Sequence, residues 1–244
     1  MATLTLHSQA GESEESEFDR MSKINDLQIA IIGGTGEEGR GLALRWARAG
    51  AQVIIGSRSV ERAKEAADEL NRFVENNPIR YGENRVAVSG ADFLLLTVPF
   101  AHAVSTIEEL QQYFPEEAIL IDITVPISFE KGARYVELPE GSASEYLRAR
   151  LTETIPLVAA FKTEPAHLLV DPDEKLDCDV LVASDSKEAR ARVCEAIKSI
   201  EGLRPVDAGP LSSARAIERM TVLAIGINRR YKIKTACYRI VGLP

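Results

Sequence analysis

The sequence is short of the residues from which metal centres and disulfide frameworks are built. Its three cysteines (Cys178, Cys194, Cys237) lie far apart, odd in number and in no CxxC pair. That spacing argues against both a zinc cluster and a disulfide scaffold. Three histidines (His7, His102, His167) are too few and too scattered for a His-based metal site. No uninterrupted apolar run approaches the ~20 residues a membrane-spanning helix requires. Basic charge is also scarce: 29 Lys and Arg face 37 Asp and Glu, a net charge of -8. This balance argues against a protein that coats nucleic acid or anionic membrane. There is no GxxxxGK[ST] loop, which removes ATP or GTP hydrolysis on a phosphate loop. No Tyr-x-x-x-Lys pair is present either, so the proton relay of short-chain dehydrogenases is absent. What remains is 244 residues, 45% hydrophobic and 27% charged, enough to bury a substantial core. The expectation is a soluble, cytoplasmic, metal-free protein.

Residues 1–26 read as a separable acidic tail. Six acids (Glu12, Glu14, Glu15, Glu17, Asp19, Asp26) stand against two bases (Arg20, Lys23), a net -4. The stretch lacks the basic start and apolar core of a secretory leader. It also holds too little apolar surface to offset the entropy of ordering, so disorder is expected up to Leu27.

Leu27 to Ile32 (LQIAII) has the branched, unbroken apolar character of a strand covered on both faces. It runs into Gly33-Gly34-Thr35-Gly36-Glu37-Glu38-Gly39. Leu42, Leu44, Trp46 and Ala47 follow at helical spacing, Gly50 offers a helix stop, and Gln52 to Ile55 is a second strand. This is one βαβ unit. Within it, Gly34-x-Gly36-x-x-Gly39 has the dinucleotide-binding spacing. Gly34 is expected to make the tight turn, Gly36 to let a diphosphate approach the backbone, and Gly39 to let the helix pack close to the strand. Amides at the helix start, with its positive dipole end, would hold the phosphates.

The end of the second strand selects the nucleotide. An Asp or Glu there would accept hydrogen bonds from ribose hydroxyls and repel a 2′-phosphate. This chain has Gly56-Ser57-Arg58-Ser59, with Arg62 one helical turn beyond Arg58. A guanidinium fork and a small hydroxyl suit a phosphate, so the cofactor is expected to be NADP.

Further strands are expected over Phe93–Val98, Ala118–Ile123, Ile155–Phe161 and Val180–Ala183. Helices are expected over 60–73, 103–113 and 186–200. The alternation predicts an α/β fold, a Rossmann-type, doubly wound, mostly parallel sheet. Ligands in such sheets bind outside the carboxyl ends of the strands. The loops there (Thr97-Val98-Pro99-Phe100, Thr124-Val125-Pro126 and Lys162-Thr163-Glu164-Pro165-Ala166) are proline-stiffened and suit a flat nicotinamide ring. From Leu211 the periodicity is helical to Tyr231, followed by a basic stretch with Arg229, Arg230, Lys232, Lys234 and Arg239. The expected division is a tail over 1–26, an NADP-binding domain over 27–210, and a small helical C-terminal part over 211–244.

From about Leu27 to Met220 the chain resembles the NADPH-dependent reductases of the deazaflavin coenzyme F420. The resemblance is carried by IGGTGEEGRGLALRWARAG, by GSR at 56–58, by LTVPFAHA at 96–103 and by LRPVDAGPLSSAR at 203–215. It implies hydride transfer between the nicotinamide of NADP and C5 of the deazaflavin, with the two rings stacked in a cleft. It further implies that Thr35, Gly36, Glu37 and Glu38 hold the diphosphate, and Ser57, Arg58 and Arg62 the 2′-phosphate. Val98, His102, Val125 and Ala166 would line the nicotinamide side. Leu211 to Thr221, with Arg215, would face the deazaflavin, with Pro126 and Lys162 on the same side. The family commonly has His where Lys162 stands, and its C-terminal tail differs from the basic stretch here. Direct hydride transfer asks for approach and exclusion of water rather than a catalytic side chain. His102 and Lys162 are therefore positioning candidates only, and no catalytic acid or base is assigned. Two other readings stand beside this one: an NADPH-dependent flavin or ferric-chelate reductase, and a non-catalytic NADP-binding sensor. Partners are expected to be small-molecule coenzymes, with a homodimer as the default assembly.

Overall fold

The computed structural model describes residues 24–130 and 132–243. Most of the acidic tail, residues 1–23, lies outside them. Packing begins before Leu27, because a helical turn at 24–26 sets Ile24 into the core.

The βαβ unit forms as β1 (Gln28–Ile32), α1 (Glu37–Arg48) and β2 (Gln52–Ser57). The chain continues through α2 (Val60–Leu70), β3 (Arg80–Glu83), α3 (Asn84–Val88), β4 (Phe93–Leu96), α4 (Phe100–Leu110) and β5 (Ile119–Asp122). A hairpin of β6 (Ile127–Ser128) and β7 (Arg134–Tyr135) and the short α5 (Ala143–Arg148) lead into β8 (Leu157–Ala159) and α6 (Ala166–Val170). Then come β9 (Cys178–Val182), α7 (Lys187–Lys198), β10 (Leu203–Asp207) and the long α8 (Ala214–Tyr231).

Six strands make a parallel sheet in the order β3-β2-β1-β4-β5-β8. Alternation along each strand explains the unbroken apolar runs. Ile29, Ile31, Phe93 and Leu95 face one apolar cluster, and Ala30, Ile32, Leu94 and Leu96 face the other. The first is covered by α1, α2 and α7 through Leu42, Trp46, Ala63 and Val193. The second is covered by α3, α4, α5 and α8 through Val88, Ile107, Leu147 and Ile217. The strand order reverses between β1 and β4, and a crevice opens there at the carboxyl edge.

The sheet departs from full parallelism at one place. β9 meets β8 only through an antiparallel bridge, Ala159 to Ala183, and carries β10 parallel on its other side. Helix α4 starts at Phe100 rather than near Ala103, because Pro99 stands at its N-cap and the helix begins at once. β3 (RYGE) and β10 (LRPVD), whose mixed sequences carry no apolar run, form strands outside the sequence expectation.

After α8 the chain doubles back. Lys232 takes a left-handed conformation (φ 55°) that stops the helix. Asn228 then binds the returning segment, its backbone oxygen accepting from Ile233 N–H (3.0 Å) and its Oδ1 from Ala236 N–H (2.9 Å). Tyr238 donates its hydroxyl to Met220 O (2.6 Å). The strap ends on the free edge of β9, where Asp179 N–H donates to Tyr238 O (2.9 Å). The buried Asp179 carboxylate receives Arg204 in a fork (2.8 and 2.8 Å), Ile240 N–H (2.6 Å) and Arg239 (3.2 Å). The Arg204 guanidinium is the main reason this carboxyl is held below the usual carboxylate range.

Candidate active site

A cavity of about 1020 Å³ runs along the carboxyl ends of the strands. One end is the glycine turn. Gly33, not Gly34, is the residue in the left-handed region (φ 73°), and a Cβ on it would fall 2.4 Å from Val98 Cγ1. Gly34 is needed for a different reason, the close approach of Ile31, and it does not line the cavity. A Cβ on Gly39 would sit 2.7 Å from Gly34 Cα, so the helix presses onto the turn rather than onto the strand. Gly36, at the N-cap of α1, faces open space with nothing within 4 Å of a built Cβ. Thr35, Gly36, Glu37, Glu38 and Gly39 all line the cavity. This cradle of helix-start amides fits a diphosphate.

At the end of β2, Ser57 is buried and its Oγ accepts from Ser59 N–H (3.2 Å). Ser59 caps α2 by accepting from Arg62 N–H (3.3 Å). Arg58 and Arg62 line the cavity, are exposed, and have no ion-pair partner among the described residues. Two exposed guanidinium groups beside a hydroxyl fit a phosphate dianion. Val98, His102, Val125 and Ala166 also line the cavity, His102 from the first turn of α4.

The far end is walled by α8 and the strap. Thr221, Ala224, Ile225 and Asn228 line it at i, i+3, i+4 and i+7, together with Ile233, Lys234 and Ala236. The helical phase explains why the other expected residues of this region are elsewhere. Arg215 lies six positions before Thr221 and faces away, forked onto Glu145 (2.8 and 2.6 Å). Leu211 is buried in the apolar cluster of β4 and β5. Pro126 is buried and outside the cavity lining. Of the expected second-substrate residues, Thr221 and Lys162 reach the cavity.

Lys162 does so with its ammonium already engaged. Phe161, buried and left-handed (φ 52°) with its ring 5.2 Å from Trp46, turns the chain so that Lys162 enters the floor. Its three N–H groups go to Asp122 Oδ2 (2.8 Å), Glu218 Oε1 (3.2 Å) and Thr124 O (2.5 Å). Ser144 Oγ also donates to Asp122 (2.7 Å), and Tyr135 OH (2.8 Å) and Ala143 N–H (2.9 Å) donate to Glu218. The Lys162 carbonyl accepts from Thr221 Oγ1 (2.7 Å), which ties α8 to the same floor. Burial opposes the charge on Lys162, but Asp122 and Glu218 outweigh it and its pKa is raised. An ammonium with every proton committed has none left for a ligand. Sequence reasoning missed Asp122 and Glu218, although an Asp inside the apolar run AILIDI is a signal of a paired interior charge.

Glu164, next along the floor, is buried, and burial pushes its carboxyl up to about 7 despite hydrogen bonds from Thr163. Burial, then the nearby Glu164, raises Glu38 well above the carboxylate range as well. Between pH 4.5 and 7 the folded protein therefore keeps a proton at Glu164 that the unfolded chain has lost, and stability falls as pH rises through that window. Wild type is expected to lose about 2–3 kcal/mol between pH 5 and 8 that Glu164→Gln does not lose. Urea unfolding across that range checks this, and parallel pH profiles would refute it.

Among the described residues no cluster of three or more His, Cys, Asp or Glu is placed to hold a metal ion, and no helix is long and apolar enough to cross a membrane.

Comparison with known proteins bears on this arrangement. A family described as NADP oxidoreductase, coenzyme F420-dependent, matches residues 28–126. The F420-dependent NADP reductase of Methanothermobacter thermautotrophicus is 40% identical over 233 residues, covering 92% of this chain and 99% of that one. The enzyme of the same name from Methanocaldococcus jannaschii is 36% identical over 224 residues, covering 89% and 99%. A crystal structure from Arthrobacter sp. FB24, provisionally named an F420-dependent NADP-reductase, superposes with a TM-score of 0.75 over 88% of this chain and 100% of that one. At 21% identity that likeness speaks for the fold alone. With more than a third of its residues shared over nearly the full length of two such reductases, the chain belongs to the F420-dependent NADP reductase family.

Proposed function

We propose that the protein transfers a hydride between NADP(H) and the deazaflavin coenzyme F420. The observation that carries this reading is one continuous cavity that joins the glycine turn and the exposed Arg58 and Arg62 to the α8 and strap wall. Such a space accommodates a dinucleotide at one end and a second ring system at the other. The amides of Thr35, Gly36, Glu37 and Glu38 receive the diphosphate at the start of α1, and Ser57, Arg58 and Arg62 the 2′-phosphate. Val98, Val125, His102 and Ala166 position the nicotinamide, and NADPH supplies the hydride. Thr221 and Ile225 flank the second ring, while Lys162 fixes the floor beneath both. The protein contributes approach, stacking and exclusion of water, and no side chain is required to move a proton on the hydride's path.

In this reading residues 27–210 bind NADP and 211–244 close over the second coenzyme. The protein works in the cytoplasm as a homodimer, the commonest assembly for such chains; sedimentation at assay concentration tests the dimer. The decisive assay follows F420 absorbance with NADPH under anaerobic conditions. Turnover of F420 in preference to FMN and ferric chelates is the expected result. Preference for flavin or ferric chelate, or NADP binding with no turnover of any acceptor, would replace this reading with a flavin reductase or a sensor.

A further inference from the structure

Two thiols far apart in the sequence meet where the C-terminal strap is fastened. Cys237 Sγ lies 3.6 Å from the carbonyl oxygen of Asp177. The carbonyl of Tyr238, the next residue, accepts from Asp179 N–H at 2.9 Å. Cys178 stands between those two contacts, buried on β9 in an apolar cluster against which the partly buried Cys237 packs. The neighbouring Cys237 thiol, followed by burial, pushes the Cys178 thiol well above the usual thiol range. The same proximity to Cys178 draws the half-exposed Cys237 below that range. Cys194, on α7, is unlike either: burial pushes it up to about 11, and no second thiol is among the groups acting on it.

We infer that Cys178 and Cys237 are a modification site, closing to an intramolecular disulfide when the protein meets a peroxide. The Cys237 thiolate attacks a peroxide oxygen; the S–O bond forms, the O–O bond breaks, and the departing oxygen leaves as water once protonated. Cys178 then gives up its proton and attacks the Cys237 sulfur; the S–S bond forms, the S–O bond breaks, and a second water leaves. Two thiols lose two electrons and two protons, and one hydrogen peroxide is reduced to two waters. The product fastens the strap covalently to β9. Ile233, Lys234 and Ala236, which wall the far end of the cavity, lie between α8 and this fastening point, so the cross-link limits how far that wall can swing.

The test uses the full-length protein and hydrogen peroxide. After treatment and denaturing alkylation without reductant, one alkyl group is expected where untreated protein, with its three cysteines, takes three. Before alkylation the mass should fall by about 2 Da, and digestion should yield a peptide pair joining Cys178 to Cys237. Cys194→Ser should keep the link. Cys178→Ser should abolish it and leave Cys237 to proceed to a sulfinic acid about 32 Da heavier. Trypsin acting after Lys232 or Lys234 should release the peptide carrying Cys237 from reduced protein and leave it attached in oxidised protein. Three alkyl groups after peroxide, a link through Cys194, or a link between two chains would overturn the inference. No coenzyme enters the assay, so its failure leaves the proposed activity untouched.

Discussion

Replacing Arg58 and Arg62 together by Gln is expected to weaken NADP binding by roughly 100-fold and to leave NAD binding within about twofold of wild type. Hydrogen bonds to a charged group contribute about 1.5–3 kcal/mol each, or roughly a factor of ten or more apiece. Both guanidinium groups stand exposed at the cavity without a protein partner, so their substitution breaks no ion pair among the described residues. The loss should therefore fall on the phosphorylated cofactor alone. Calorimetric titration with the two cofactors separates the outcomes. An equal loss for NAD and NADP would mean that the pair supports the fold of this loop rather than selecting a phosphate, and unchanged affinity for both would place the 2′-phosphate elsewhere.

The second large effect concerns stability. Lys162→Met is expected to cost about 3–5 kcal/mol, because it leaves Asp122 and Glu218 facing each other in the interior without their shared cation. For a chain of this size that corresponds to a fall in melting temperature of roughly 10 °C. Adding Asp122→Asn to Lys162→Met should restore part of the loss by removing one of the stranded charges. Scanning calorimetry of the single and double variants measures both. If the double variant were no more stable than the single one, the loss would come from packing of the lysine stem and not from uncompensated charge.

These two sites differ in how far the sequence reveals them. Arg58 and Arg62 were legible because each is placed by a local element: the end of a strand, then one turn of a helix beginning at Ser59. The glycine turn before α1 is legible for the same reason, although the spacing of three glycines conceals that Gly33 rather than Gly34 takes the left-handed conformation. The Lys162 cluster was not. Its ammonium is 40 positions from Asp122 in the chain, and only the packing of β5, β8 and α8 brings the charges together. Arg215 shows the opposite error. A cation in the right helix was expected at the cavity, but helical phase, fixed by which residues the sheet buries, turns it to Glu145. Thr221 lies on the stripe that faces inward, and Arg215 does not.

The pairing of α1 with α6 reaches further than either helix. A Cβ on Gly41 would fall 2.5 Å from Leu169 Cβ, and Arg45 donates to the carbonyl oxygens of Leu168, Leu169, Asp171 and Glu174. The helix that opens at Gly36 thus also anchors the segment bearing Ala166 and His167, which ties two parts of the pocket lining together. A selection for altered coenzyme affinity would accordingly recover changes at Gly41 and Arg45 as though they were contact positions, although neither lines the pocket.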